Sequence, residues 1–294
     1  MVFKINEQVI NFCSYFDKNY LAKFLNLRSS LENFNFKYTF YILCLDNFSV
    51  NFFKKNNFNN TIIITLNEIE NEYKELLDIK QNREIIEYYF TLSPFLPKYI
   101  FEKKGIKQIS YLDSDFYFFQ SPKKIIQENI DCSVTLIQQN VDERYGKYNV
   151  GWINFNFDYN ETIIIVNEWG NECLNECTDI PNNNSYADQK YLDKWVTKLK
   201  YLRVFQPEYT CLSPWDSNSV IEENKESMIA FHFHGLELYE DNFTSGFYQF
   251  NKKNDQKIIN RIYIPYIENL ISIEKKYNLK SSSIRHRRKK ILTK

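Results

Sequence analysis

The stretch that decides the fold is Ile109-Ser110-Tyr111-Leu112-Asp113-Ser114-Asp115-Phe116. It joins an apolar run, typical of a buried β-strand, to two carboxylates spaced two residues apart. In an extended chain, side chains at positions i and i+2 point to the same side. At the carboxyl end of a strand in an α/β sheet, that side faces the crevice in which ligands bind. We therefore expect Asp113 and Asp115 to hold a divalent cation and to leave ligand positions for substrate phosphate oxygens. A turn or a solvated surface is the plainer interpretation of Asp-x-Asp.

Strand-like and helix-like segments alternate upstream of this stretch. The predicted strands cover 8–14, 38–45 and 61–66, and the predicted helices cover 17–32, a segment ending at 77, and 82–103 with an interruption near Ser93-Pro94. This alternation is typical of a mostly parallel sheet. Downstream, the pattern predicts strands over 132–137, 148–156, 201–205 and 228–234, a helix over 159–177 and a helix start at 187–192. We predict an α/β domain over 1–250 and a helical C-terminal appendage with a basic tail over 251–294.

The composition narrows the function classes. Hydrophobic residues make up 44% of the 294 residues, which is enough for a sizeable core. Lys plus Arg equals Asp plus Glu at 37 each, so no global charge favours nucleic acid as a partner. No signal-peptide pattern or membrane-spanning run is visible, and the six cysteines lack zinc-site spacing, so we expect a cytoplasmic protein with reduced thiols. The basic segment 285–290 is expected to be a disordered terminus, with peripheral contact to the inner face of a membrane as the alternative.

Three further polar motifs follow in the order Asn149-Val150-Gly151, Asp188-Gln189 and His232-Phe233-His234-Gly235. A glycine lets a ligand approach the backbone closely, and an asparagine amide bonds sugar hydroxyls in both directions. An imidazole added to two carboxylates makes a good ligand set for Mn²⁺. The plainer alternatives are a turn for the first motif, a helix N-cap for the second and a hydrogen-bonded scaffold histidine for the third.

The order Leu-Asp-x-Asp, Asn-x-Gly, Asp-Gln, His-Phe-x-Gly resembles the GT-A nucleotide-sugar glycosyltransferases. The strongest similarity is to the retaining group that includes glycogenin and the bacterial lipopolysaccharide galactosyltransferases, over roughly residues 8–236. The resemblance implies a Rossmann-like mixed sheet flanked by helices. It also implies transfer of a hexosyl group, with retention, from a nucleotide diphosphate sugar donor to a hydroxyl group of a glycan, lipid-linked or protein acceptor. A role in surface glycan synthesis follows from the same resemblance.

The resemblance also implies roles for single residues. Asp113, Asp115 and His232 would bind Mn²⁺ or Mg²⁺, and the substrate-binding positions would include Asn149, Gly151 and Gly235. Asp188 and Gln189 would be the catalytic pair, in the pocket shared by the donor sugar and the acceptor.

The sequence departs from the family after the histidine motif. The family often has Gly-x-x-Lys-Pro-Trp there, whose lysine touches the diphosphate, whereas this chain has Gly235-Leu236-Glu237-Leu238-Tyr239. We therefore expect Arg83 to supply the phosphate contact instead.

Two other functions fit part of the pattern. A sugar nucleotidyltransferase has a similar sheet, but it usually needs a glycine-rich phosphate loop after the first strand, and residues 11–17 contain no glycine. A non-catalytic glycan-binding protein suits the 17% aromatic content but leaves Asp113, Asp115 and His232 unexplained.

Overall fold

The computed structural model describes residues 9–182, 184–224, 226–239, 243–247 and 255–279. The basic tail lies outside these residues. The described strands are β1 (Ile10–Phe16), β2 (Tyr38–Cys44), β3 (Thr61–Thr65), β4 (Gln108–Leu112), β5 (Phe116–Phe118), β6 (Val134–Gln138), β7 (Tyr148–Asn156), β8 (Leu202–Phe205), β9 (Cys211–Leu212), β10 (Ala230–His232), β11 (Leu236–Leu238) and β12 (Phe243–Ser245).

Helices connect most of these strands. The described α-helices are α1 (Leu21–Glu32), α2 (Asn47–Asn56), α3 (Leu66–Glu72), α4 (Glu75–Lys80), α5 (Ile85–Thr91), α6 (Phe95–Lys104), α7 (Lys123–Gln127), α8 (Asn160–Asn175), α9 (Trp195–Lys198), α10 (Asn218–Asn224), α11 (Gln256–Ile258) and α12 (Ile264–Tyr277). A π-helical segment, Ile259–Tyr263, joins α11 to α12.

The main sheet has seven strands in the order β3-β2-β1-β4-β7-β6-β8. The pairs β3–β2, β2–β1 and β1–β4 are parallel, β7 runs antiparallel to both β4 and β6, and β6 pairs with β8 in parallel. The sheet is therefore mixed, with the strand-helix alternation of the first half forming its parallel side. This result confirms the predicted α/β class. A second sheet, β5-β10-β9, begins where β4 ends.

Successive side chains of each strand point to opposite faces of the main sheet, and the core therefore has two layers. On β1, Phe12 and Phe16 face a cluster built with α1 and α12, while Cys13 and Tyr15 face a cluster built with α6 and α8. Side chains two residues apart lie on the same face, so each strand contributes to both layers. The main sheet is thus covered by helices on both faces, and its carboxyl edge on the parallel side stays open.

Three segments differ from the prediction, and local hydrogen bonds explain the first difference. The first helix was expected to begin near Asp17 and begins at Leu21, because the Asp17 carboxylate accepts hydrogen bonds from the backbone of Asn19 and Tyr20 in a turn before the helix. The segment expected to start a helix at 187–192 forms a 3₁₀ helix, Lys190–Lys194, that leads into α9. The strand expected over 228–234 is only Ala230–His232.

The C-terminal helix α12 packs on α1 and on the back of the histidine motif. Tyr266 stacks on Phe233 at a ring-centroid distance of 3.7 Å, and Asn26 donates a hydrogen bond to the Tyr266 carbonyl. The buried Leu270 belongs to the same core cluster as β1 and α1. The described part of the segment predicted as an appendage therefore packs in the same core cluster as β1 and α1.

We expect Leu270→Ala to lower the free energy of unfolding by about 3 kcal/mol, because it removes a fully buried side chain and leaves a cavity. Ile271→Ala is the matched control, since Ile271 is 37% exposed on the outer side of the same helix, and its effect should stay below about 1 kcal/mol. Urea denaturation of both variants measures the difference. Equal midpoints would contradict the packing of α12 as part of the core.

All six cysteines fall in the described part of the chain and are buried free thiols. Within the described residues, no helix combines the length and the apolar character needed to cross a membrane.

Candidate functional site

The two carboxylates of the opening stretch lie at the end of β4, in the middle of the main sheet. The Asp113 backbone N–H donates to the Gly151 carbonyl of β7 at 2.9 Å, which extends the β4–β7 pairing by one residue. The chain then turns at Ser114 and enters β5. Asp113 shares a face with Tyr111, whose hydroxyl donates to Asp113 Oδ1 at 2.8 Å.

His232 reaches these carboxylates because β10 pairs with β5. The register places His232 opposite Phe116, one residue after Asp115. His232 Nε2 lies 3.1 Å from Asp115 Oδ1 and 3.7 Å from Asp113 Oδ2. The imidazole stacks on the Phe116 ring at 4.5 Å and meets the Trp215 ring edge-on at 5.5 Å. Asp115 and His232 are 117 residues apart in the sequence, and the pairing of β5 with β10 brings them together.

The donor set fits a divalent cation. One ligand atom from each of Asp113, Asp115 and His232 lies within 4.8 Å of the other two. Neighbouring ligands around a six-coordinate ion with bonds of about 2.1 Å are about 3 Å apart, which matches the 3.1 Å between His232 Nε2 and Asp115 Oδ1. The 3.7 Å between His232 Nε2 and Asp113 Oδ2 is longer and would shorten when an ion is bound. Two carboxylate oxygens and one imidazole nitrogen suit Mn²⁺ and also Mg²⁺. The side chains therefore need only small shifts to hold such an ion.

Charge in the cluster is unevenly distributed. Burial and the neighbouring Asp115 carboxylate raise the pKa of Asp113, and attraction to His232 opposes this rise. For Asp115, burial raises the pKa, but the charge of His232 and its hydrogen bond outweigh burial and hold the pKa well below its ordinary value. A cation placed among these groups relieves the repulsion between two carboxylates that share one imidazole.

An open cleft with an empty volume of about 900 Å³ lies over the cluster. Its walls come from the ends of β1 and β4, from α5, and from the segment after β10. The lining residues are Tyr15, Phe16, Asp17, Tyr20, Leu45, Ile86, Tyr89, Phe90, Asp113, Ser114, Asp115, His232, His234, Gly235, Leu236 and Glu237. The cleft thus runs from the cation cluster to the end of β1.

Asn149 is turned toward the candidate ligands. Its Oδ1 accepts from the Gly151 N–H at 2.7 Å, and its Nδ2 lies 3.5 Å from His232 Nδ1. The side chain is 4% exposed and helps to orient the imidazole. Contact between Asn149 and a donor sugar stays a prediction.

Gly151 allows the close approach of protein groups. A Cβ atom there would lie 2.6 Å from the Phe116 ring and 3.0 Å from Asp113 Oδ2. Gly235 lines the cleft with a φ of +71°, a left-handed conformation that favours glycine.

We expect Gly151→Ala to destabilise the protein by about 2 kcal/mol and to weaken Mn²⁺ binding, because the new methyl group pushes on Phe116 and Asp113. Gly170→Ala is the matched control: its Cβ would meet Phe95 at an ordinary 3.5 Å inside α8, where alanine is a better helix former. Thermal unfolding and a Mn²⁺ titration measure both variants. A Gly151→Ala protein as stable and as metal-competent as wild type would contradict the crowding argument.

Asp188 is buried and Gln189 half-buried, and neither lines the cleft. Burial raises the pKa of Asp188 to about 7, the Asp113 charge adds to this rise, and a hydrogen bond from Ser93 opposes it. Gln189 Oε1 accepts from the Val150 N–H at 3.3 Å, and its Nε2 donates to the Tyr145 carbonyl at 2.8 Å. Gln189 thus ties the 143–145 turn to β7, and the catalytic assignment of this pair stays a prediction.

Arg83 is not among the residues that line the cleft, and its contact with phosphate stays a prediction. Its guanidinium donates to the carbonyls of Cys173 and Leu174, at the end of α8, at 2.6 and 2.7 Å, and also to Thr91 Oγ1. These carbonyls lack helical partners, so Arg83 caps α8 and joins it to α5.

Lys23 is a positively charged side chain near Asp115 that the sequence analysis did not identify. Its Nζ donates to the Leu236 carbonyl at 3.0 Å, and its charge lowers the pKa of Asp115. It is only 4% exposed and lies within an otherwise apolar stretch of α1, which is the signal that could have identified it.

The chain is similar to proteins of known sequence and of known structure. No protein-family model matches the chain. The chain is 25% identical over 279 residues to the uncharacterized protein YfnD of Bacillus subtilis (strain 168), covering 88% of each chain.

Solved glycosyltransferases share the fold. The chain is similar to the galactosyltransferase LgtC, determined with donor and acceptor sugar analogs, with a TM-score of 0.53 and 13% identity over 86% of this chain and all of that one. It is also similar to mouse xyloside xylosyltransferase 1, with a TM-score of 0.54 and 12% identity over 78% of this chain and 98% of that one. The chain has the GT-A fold, which confirms the architecture implied by the sequence motifs.

Proposed function

We propose that this protein is a metal-dependent glycosyltransferase that moves a hexosyl group from a nucleotide diphosphate sugar to an acceptor hydroxyl with retention. The observation that carries the proposal is the convergence of Asp113, Asp115 and His232 at the floor of a cleft, at the end of β4 in a GT-A fold. Structural neighbours named as galactosyltransferase and xylosyltransferase support sugar transfer as the reaction class.

Asp113, Asp115 and His232 would hold Mn²⁺ or Mg²⁺, with Tyr111 and Asn149 orienting two of these ligands. When bound, such a cation offsets the charge of the departing nucleoside diphosphate as a Lewis acid. The chain itself contributes no lysine or arginine to the described lining of the cleft, so the positive charge there would come mainly from the metal ion.

Aromatic side chains form part of the cleft wall. Tyr15 and Phe16 lie on β1, and Tyr89 and Phe90 lie on α5. Flat apolar rings of this kind pack against a nucleoside base and exclude water from the donor. The cleft therefore provides a cation end for the diphosphate and an aromatic end for the nucleoside.

The position of Asp188 supports retention. An inverting transferase needs a general base within hydrogen-bond reach of the acceptor hydroxyl. Asp188 is 5% exposed and does not line the cleft. A retaining reaction can use the departing phosphate oxygen as the base, so it does not require Asp188 to reach the acceptor hydroxyl.

A donor panel tests the proposal. The protein is incubated with nucleotide diphosphate sugars of different base and sugar, with glycan, lipid-linked and peptide acceptors, in Mn²⁺ and in excess chelator. We expect one donor to give metal-dependent release of nucleoside diphosphate and, from an α-linked donor, an α-linked product in the proton NMR spectrum. Glycan binding without release from any donor would favour a non-catalytic binding protein, and a β-linked product would overturn retention. A glycan or lipid-linked acceptor would support a role in surface glycan synthesis.

A further inference from the structure

Helix α1 carries a row of buried polar side chains. Lys23, Asn26 and Ser30 are spaced three and four residues apart, so they lie on one face of the helix. Their exposed fractions are 4%, 0% and 0%. Polar side chains are buried at such positions when partners satisfy them, and a buried lysine needs this most. The partners of the row therefore show what this face of α1 holds in place.

The two neutral members of the row support the cation site from outside. Ser30 Oγ accepts from the Phe118 N–H at the end of β5 at 3.0 Å. Asn26 donates to the Tyr266 carbonyl of α12 at 3.1 Å, and the Tyr266 ring stacks on Phe233 of the histidine motif. Helix α1 is thereby fixed against β5 and against the back of that motif.

Lys23, the charged member, bonds the turn that follows β10. Its Nζ donates to the Leu236 carbonyl at 3.0 Å, and Leu236 lines the cleft. The Leu236 N–H donates to the Phe233 carbonyl at 3.1 Å, which closes a turn over residues 233–236. The Phe233 N–H in turn donates to the Asp115 carbonyl at 2.9 Å. The Lys23 ammonium is thus joined to the backbone of a candidate metal ligand through this turn.

The charge of Lys23 also reaches the cation cluster. Burial raises the pKa of the Asp115 carboxyl, and the charges of His232 and Lys23 lower it. A charge held in the protein interior is screened little by salt, so it acts over several ångström on any ion that enters the cluster. A positive charge at this position repels a divalent cation and attracts the diphosphate that would bind to the cation.

We propose that Lys23 is a positioning residue that holds the turn of residues 233–236 at the cation site and supplies a fixed positive charge there. This charge weakens the binding of the cation alone and strengthens the binding of a nucleoside diphosphate to the loaded site. The second effect rests on the proposed function, whereas the first can be measured with the metal alone. Lys23 is not among the residues that line the cleft, so it acts through its electric field and through the turn.

The first test measures the dissociation constant of Mn²⁺ alone by calorimetry. Lys23→Met and Lys23→Gln remove the charge, and we expect both to bind Mn²⁺ about tenfold more tightly than wild type. Lys98→Met is the matched control: Lys98 Nζ lies 4.9 Å from the centre of the Tyr73 ring, much as Lys23 Nζ lies 4.4 Å from that of Tyr20, but Lys98 belongs to α6 and does not line the cleft. It should keep wild-type affinity. Unchanged or weaker Mn²⁺ binding in both neutral variants, or failure of both to fold, would overturn the proposal, because a residue that only holds the turn loosens the site when it is replaced.

The second test titrates uridine, guanosine, adenosine and cytidine diphosphates into protein saturated with Mn²⁺. The nucleotide that binds wild type most tightly should bind Lys23→Met and Lys23→Gln about tenfold more weakly. Lys23→Arg retains the charge and should stay within about threefold of wild type in both titrations. Opposite changes for the cation and the nucleotide do not arise from a loosened fold, which would weaken both. Nucleotide binding as tight in the neutral variants as in wild type would overturn the proposal. Tighter Mn²⁺ binding in these variants, with no nucleotide bound by wild type, would uphold the charge assignment and reject the proposed function.

Discussion

Asp115→Asn is expected to reduce donor turnover by on the order of a thousandfold or more, and Asp113→Asn should do the same. Each substitution removes one of the two anionic oxygens that converge with His232 Nε2 at the end of β4. The amide keeps the size of the carboxyl group, and it also removes one of two like charges from a buried cluster. Asp113→Asn should not lower the free energy of unfolding, because burial and the Asp115 charge raise the pKa of Asp113. Asp115→Asn should lower it, because the charge and hydrogen bond of His232 favour the Asp115 carboxylate, and urea denaturation separates this loss from the loss of turnover.

The test combines a Mn²⁺ titration, donor turnover and urea denaturation for both variants. Asp158→Asn is the matched control, since it removes a carboxylate that pairs with Lys107 on the protein surface, and it should leave turnover unchanged. Excess chelator should abolish donor turnover by the wild type, and added Mn²⁺ should restore this turnover. Full turnover of the wild type in excess chelator, or full turnover of Asp115→Asn, would contradict the assignment of these residues as metal ligands.

The charge of the cleft explains why this effect should be so large. The lining side chains in the described part of the chain include the carboxylates of Asp17, Asp113, Asp115 and Glu237 but no lysine or arginine. A nucleoside diphosphate brought into such a cleft meets like charge, and at short range this costs several kcal/mol. The bound cation is then the main attraction for the diphosphate, and donor affinity should disappear with it.

Long segments of the fold were predictable from the sequence, whereas short ones were not. The strand expected over 148–156 is β7, Tyr148–Asn156, because nine residues of apolar and alternating character leave little freedom in assignment. Strands β5, β9, β11 and β12 have two or three residues each and carry no periodic signal. They form through long-range pairing, as when β10 aligns with β5 and brings His232 to Asp115.

Sequence motifs identified the candidate residues but not their surroundings. Asn149 and Gly151 were read as ligand contacts, and the structure shows that each also packs against another part of the site. Arg83 was assigned to phosphate because it is a cation on a helical segment, but the free carbonyls at the end of α8 take its guanidinium. Such partners lie about 90 residues away along the chain, beyond the reach of local patterns.

His232→Ala is expected to weaken Mn²⁺ binding about a hundredfold, whereas His234→Ala should change it less than about threefold. Both imidazoles line the cleft, and their ring centroids are only 5.7 Å apart. His232, however, is 4% exposed and lies 3.1 Å from Asp115, with Phe116 and Trp215 fixing its ring. Pre-orientation of this kind lowers the entropic cost of metal binding, and it is what distinguishes the two positions.

Removing the His232 ring also leaves a cavity beside Phe116. A second substitution therefore separates weaker metal binding from loss of stability. His232→Gln fills much of that space and retains a polar end group, and it should fold with wild-type stability while binding Mn²⁺ at least tenfold more weakly. Calorimetry with Mn²⁺, together with thermal unfolding of His232→Ala, His232→Gln and His234→Ala, provides the ranking. If His234→Ala lost more affinity than either His232 variant, the third ligand would have to be moved from β10 to the turn that follows it.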